Sequence, residues 1–136
     1  MKVLEIAFVS YPVTDLPRAR KFYEETLGLV VSRTFGDDNQ AWVEYDLGAN
    51  TLAISNLNPD WKPSAGGGSA ALEVEDMSAA VSRLKEDGHP PFFGPTETPV
   101  CYVAAVSDPD GNSITIHQKE NRRESGRATL RRAAVR

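Results

Sequence analysis

In residues 113–118 the aliphatic Ile114 and Ile116 alternate with Ser113, Thr115 and His117. That is the period of two expected of a strand with one buried face. The pattern recurs in residues 51–55, where Leu52 and Ile54 leave Thr51, Ala53 and Ser55 on the far side. It recurs again in residues 69–74, where Leu72 and Val74 leave Ser69, Ala71 and Glu73. Near the start Ala7, Val9, Tyr11 and Val13 share one side, leaving Ile6, Phe8 and Ser10, and Val43, Tyr45 and Leu47 leave Trp42 and Glu44. Two stretches change period. Met77, Ala80, Val81 and Leu84 fall at i, i+3, i+4 and i+7, and Ala19, Phe22, Tyr23 and Leu27 form a comparable stripe. Both predict amphipathic helices. Asp15 and Asp76 are placed to cap them, Pro17 sits in the first turn of one, and Gly28 and Gly88 are placed to end them.

These signals come twice in the same order. "VTDLPRARKFYEETLG" and "VEDMSAAVSRLKEDG" each follow a strand and share Val-x-Asp followed by Leu or Met. After the first come "LVVSRTF", "AWVEYDLG" and "NTLAISN"; after the second come a proline-broken segment around "PPFFGP", then "VCYVAAV" and "NSITIHQ". The chain therefore reads as a βαβββ unit written twice, an α+β fold. Module one is assigned to residues 1–57, a Pro-, Asn- and Gly-rich linker to 58–68, and module two to 69–118, with a basic, disordered tail at 119–136.

Charge sharpens that division. The net charge of −4 over 136 residues combines −9 in residues 1–118 with +5 in the tail. An acidic body disfavours phosphate backbones and leaves neutral or cationic small ligands open, so neither nucleic acid nor membrane is expected as a partner. No apolar run is long enough to cross a bilayer and no signal segment opens the sequence, which makes the cytoplasm the expected compartment. The single cysteine, Cys101, reads as a small buried hydrophobe. No phosphate loop, dinucleotide fingerprint or nucleophile elbow is present, and "AGGGSA" lacks the lysine a phosphate loop requires. Glu73 and His117, both on polar strand faces, are the one candidate acid–base pair.

The motifs "VTDLPRARKFYEETLGL", "VEDMSAAVSRLKEDG" and "GPTETP…DPDGNSITIHQ" resemble the vicinal oxygen chelate superfamily of glyoxalase I, extradiol dioxygenases, and fosfomycin- and bleomycin-resistance proteins. The resemblance spans nearly all of residues 3–118. It implies a cup-shaped mixed sheet with helices on its outer face, usually within a homodimer, and in catalytic members a divalent metal in the cup. Metal-binding members take a His or Gln five positions before the Val of Val-x-Asp, and a carboxylate from the last strand of each module. The matching positions here are Phe8, Ser69, Ala53 and Thr115. Phenyl and methyl groups donate nothing, and neutral hydroxyls are feeble ligands. No metal or other cofactor is therefore expected. The implied function is direct binding of a small molecule, with drug sequestration as in bleomycin-resistance proteins. Expected ligand-binding residues are Phe8, Ser10, Trp42, Glu44, Ala53 and Trp61 in module one, and Ser69, Glu73, Tyr102, Thr115 and His117 in module two. Two alternatives stand beside this: a lyase, isomerase or dioxygenase using a relocated metal or Glu73/His117 chemistry, and a non-catalytic interaction module.

Overall fold

The computed structural model describes residues 1–119; residues 120–136, and with them all but the first position of the basic tail, lie outside the described residues. The chain divides into two compact units. The first comprises Met1–Ser64 together with the turn Pro109–Gly111, and the described part of the second comprises residues 65–108 and 112–119.

Unit one contains strand β1 (Val9–Pro12), helix α1 (Leu16–Arg20) running on as a π-helical turn (Lys21–Thr26), and strands β2 (Val31–Gly36), β3 (Ala41–Leu47) and β4 (Asn50–Ser55). The sheet order is β1-β4-β3-β2, with β1 parallel to β4 and the other pairs antiparallel. Unit two contains β5 (Ala70–Glu73), α2 (Met77–Glu86), β6 (Phe93–Glu97), β7 (Cys101–Ser107) and β8 (Ser113–Lys119). Its order, β5-β8-β7-β6, repeats the first with the same parallel and antiparallel pairing. Two tandem βαβββ modules of α+β class are thus realised strand for strand.

The helices start and stop for the reasons their sequences suggest. The Asp15 carboxylate accepts from the Arg18 N–H at 3.1 Å, and the Asp76 carboxylate accepts from the Ala79 N–H at 3.2 Å. Each satisfies an amide that the first helical turn leaves without a partner. Gly28 and Gly88 follow the helices at φ +73° and +82°, where a side chain would be strained. The wide turn of the first helix shows in Leu27 N–H, which bonds to the Phe22 carbonyl five residues back. The first strand is shorter than its alternation predicts. Residues 1–8 are exposed, and the ladder with β4 runs only from Val9, opposite Leu52, to Pro12, opposite Ser55.

The core of unit one is aromatic. Tyr23 stacks on Tyr45 at 6.2 Å and meets Phe22 edge-on at 5.3 Å, with the Tyr11 ring tilted against it at 6.5 Å. Leu16, Ala19, Val43, Leu52 and Ile54 fill the space around them. Each large side chain buried here contributes about 2 kcal/mol of transfer free energy. The Tyr45 hydroxyl does not go unsatisfied: it donates to Glu24 at 2.8 Å, and Glu24 also accepts from Arg20 Nε at 2.6 Å. Burial first, and the Glu24 carboxylate second, push the Tyr45 phenol well above its ordinary range. In unit two Met77, Val81 and Leu84 of α2 pack with Tyr102, Ala104, Val106, Ile114 and Ile116 in the buried layer.

The "DPDGN" motif joins β7 to β8 in a loop braced by its own side chains. Asn112 donates both its backbone N–H and its side-chain amide to the Asp108 carboxylate, each at 2.8 Å, and Asp108 N–H returns a bond to Asn112 O. Asp110, at the tip, belongs to unit one. It accepts from Thr14 N–H, from the Thr14 hydroxyl and from Arg18 Nη2 at 2.8 Å. Among the described residues no helix is long and apolar enough to cross a membrane.

Candidate ligand-binding faces

Strand register fixes which side chains share the sheet face turned away from each helix. In unit one a single rung runs Ser10, Ala53, Glu44, Arg33 across β1, β4, β3 and β2. The rung beside it pairs Ser55 with Trp42 and Trp42 with Phe35. Phe8 comes up against this face, its ring meeting Trp42 edge-to-face at 5.4 Å and 83°. The indole N–H of Trp42 donates to Glu44 Oε2 at 2.8 Å, which holds both the ring and the carboxylate in one orientation. Arg33 lies over the Phe35 ring at 5.8 Å, within cation–π range. Phe8 and Phe35 stay half exposed, whereas Ala53 is fully buried.

Of the residues expected in module one, Phe8, Ser10, Trp42, Glu44 and Ala53 therefore come together. Trp61 does not sit on the sheet. It follows a turn in which its N–H bonds to Asn58 O at 3.2 Å, and it is 37% exposed. Arg33 and Phe35 join the face although sequence reasoning passed over them.

In unit two the corresponding rungs are Ala71, Thr115, Ala105 and Glu73, His117, Val103. The Ser69 and Thr115 hydroxyls are hydrogen-bonded to each other at 2.9 Å, and Ser69 also donates to Ser113 O at 3.2 Å. His117 Nδ1 lies 2.7 Å from Glu73 Oε1, while Glu73 Oε2 accepts from the Lys119 N–H, also at 2.7 Å. The pair foreseen from strand parity is thus in hydrogen-bond contact. Tyr102 stands apart from this set: it faces the helix side with Gln118 as its register partner and is 2% exposed. Packing against the α2 layer leaves it no surface to offer a ligand.

The donor set decides whether a divalent metal fits the positions its relatives use. Phe8 is engaged with Trp42, Ala53 ends in a methyl group, and Ser69 and Thr115 carry only neutral hydroxyls, hydrogen-bonded to each other. None of these four side chains offers the imidazole or carboxylate that such an ion requires, so the residues present do not fit it. Among the described residues no group of three His, Cys, Asp or Glu side chains could hold an ion elsewhere.

Residues 5–116 match the Glyoxalase/Bleomycin resistance protein/Dioxygenase superfamily, and the chain belongs to that family. TnmS3, described as an antibiotic binding protein from Streptomyces sp. CB03234, is similar in structure with a TM-score of 0.73 and 29% identity, covering 88% of this chain and 99% of that one. A glyoxalase/bleomycin resistance protein from the same Streptomyces is 31% identical at a TM-score of 0.69, covering 84% and 100% of the two chains. A probable lactoylglutathione lyase from Synechocystis sp. is 27% identical over 123 residues, 82% of this chain and 93% of that protein.

Proposed function

We propose that this protein binds an aromatic small molecule directly, without a metal, on the Phe8–Trp42–Glu44 face of module one, in the manner of a drug-sequestering protein. The observation that carries the reading is that a metal-ligand position of the family is occupied by Phe8, whose ring packs on Trp42, whose indole in turn fixes Glu44. A ring for stacking stands at one position where catalytic members hold a metal ligand, and an oriented counter-charge, Glu44, is the cross-strand neighbour of another, Ala53. Such a face suits a planar ligand, and a cationic one best. The likeness to an antibiotic binding protein over nearly its whole length supports the same reading. It also takes the chain to act as a homodimer, which light scattering of the purified protein tests.

Binding is tested by fluorescence titration against planar antibiotics in a Trp61→Phe background, where Trp42 is the sole indole. The expected result is saturable quenching that a chelator leaves unchanged. Quenching that vanishes with chelator and returns with zinc, nickel, manganese or iron would overturn the metal-free reading.

A further inference from the structure

On the polar face of module two, Glu73 and His117 form a unit that nothing in the aromatic face requires. With Glu73 ionised, the 2.7 Å contact requires a proton on His117 Nδ1, donating to Glu73 Oε1. The second carboxylate oxygen is held by the Lys119 backbone N–H at 2.7 Å. Both oxygens are therefore fixed, and the carboxylate cannot swing away from the ring. The two residues are also register partners on adjacent parallel strands, so the backbone itself sets their separation. With Nδ1 committed, the ring in its neutral form presents Nε2 as an acceptor. The imidazole is about one-third exposed and Glu73 about one-quarter, so this acceptor is reachable while its orienting partner is partly shielded.

From this arrangement we infer that the Glu73–His117 pair is a proton-accepting subsite for a ligand carrying an acidic hydroxyl, a phenol or an enol. The inference rests on the small-molecule reading above and names a chemical class for what reaches module two. In the bound state the ligand O–H bond breaks and an Nε2–H bond forms. The electron pair stays on the ligand oxygen, and the resulting imidazolium is compensated by Glu73 through Nδ1–H. No oxidant, metal or second reactant enters. Among the described residues, the other titratable or charged groups that strand register places on this face are Lys119 on β8 and Cys101 on β7, register partners of each other beyond His117; β6 sends Thr96 to the same side opposite Val103, and β5 contributes Glu73.

Two measurements test it on the full chain. Nitrogen-15 NMR of labelled histidine, at about pH 8 and above the ordinary histidine range, reads the tautomer directly. The expected signal is Nδ1–H with bare Nε2, lost in Glu73→Gln; an Nε2–H tautomer in the parent protein overturns the inference. The second probe is para-nitrophenol, whose phenolate absorbs apart from the neutral phenol. The parent protein should raise the phenolate fraction at fixed pH, and His117→Gln should abolish that rise, with Glu73→Gln binding about tenfold more weakly. No rise with the parent, or an equal rise in His117→Gln, overturns the inference. Thermal unfolding confirms that each variant is folded. Quenching of Trp42 by planar antibiotics is followed in the same variants: its retention alongside a lost phenolate signal separates failure of this subsite from failure of the aromatic face.

Discussion

Gln118, the last buried residue of β8, accepts the backbone N–H of Met77 through its side-chain Oε1 at 2.6 Å, so a strand supplies a cap to the first turn of α2. Asp76 caps the Ala79 amide of the same turn, and the two residues divide the work of satisfying it. Both partners of the Gln118 bond are fully buried, so water cannot replace it. Gln118→Met keeps the volume and removes the acceptor. The expected loss is about 1–3 kcal/mol, the cost of a buried donor left unmade, read as a lowered urea midpoint with the slope unchanged.

Asp110 is a second point of dependence. Its side chain is 5% exposed and collects two bonds from Thr14 and an ion pair with Arg18, whose own side chain is half exposed. Removing the carboxylate leaves the Thr14 amide and hydroxyl to find other acceptors. Asp110→Ala is therefore expected to cost about 2 kcal/mol, most of it from the hydrogen bonds to Thr14 rather than from the exposed end of the ion pair. Arg18→Met isolates the ionic part and is expected to cost under about 1 kcal/mol. Equal losses in the two variants, measured by chemical denaturation, would refute that division.

Tyr45 gives the stability a dependence on alkaline pH. Unfolded tyrosine ionises near pH 10, as about the ordinary value. In the fold, burial and then the Glu24 carboxylate raise the Tyr45 value above that. The folded chain keeps a proton that the unfolded chain releases. Its contribution is complete below about pH 10 and is lost progressively as the pH climbs beyond that value. Tyr45→Phe should flatten this alkaline decline while lowering stability at neutral pH through the lost bond to Glu24. Unfolding free energies measured across the alkaline range check both parts.

Much of this architecture is legible in the sequence because it depends on local chemistry. Asp15 and Asp76 cap, Gly28 and Gly88 terminate, and the alternation of β8 assigns His117 and Thr115 to one face without ambiguity. Parity even brought Glu73 and His117 together, since parallel neighbours in register share a face. What escaped was set by register between strands that carry no clear alternation. The run "VCYVAAV" is apolar throughout, so only its pairing with β8 reveals that Tyr102 faces the helix. Strand β2 lies at the sheet edge and is largely exposed, and its register shifts between Val31 and Arg33. Nothing local therefore said that Arg33 and Phe35 would line up with Glu44 and Trp42. Gly36, which ends β2, shows the same limit: glycine is needed there because φ is +122° and a Cβ would stand 2.3 Å from Gln40 O, and no motif announced it.

The aromatic face makes a separable claim about charge. Glu44 is half-buried and held by the Trp42 indole, with Arg33 as its cross-strand neighbour and Phe35 beside it. A planar cation stacked here gains both ring contact and the carboxylate, whereas a neutral ring of the same size gains contact alone. Glu44→Gln keeps an acceptor for the indole while deleting the charge. It is expected to weaken binding of a cationic dye such as proflavine about tenfold, with little effect on a neutral polycyclic ligand. Because the site is partly open to solvent, added salt should erode the difference between parent and variant. Calorimetric titration of both ligands against both proteins reads the outcome. Equal weakening of the cationic and neutral ligands would mean that Glu44 serves only to hold Trp42 in place.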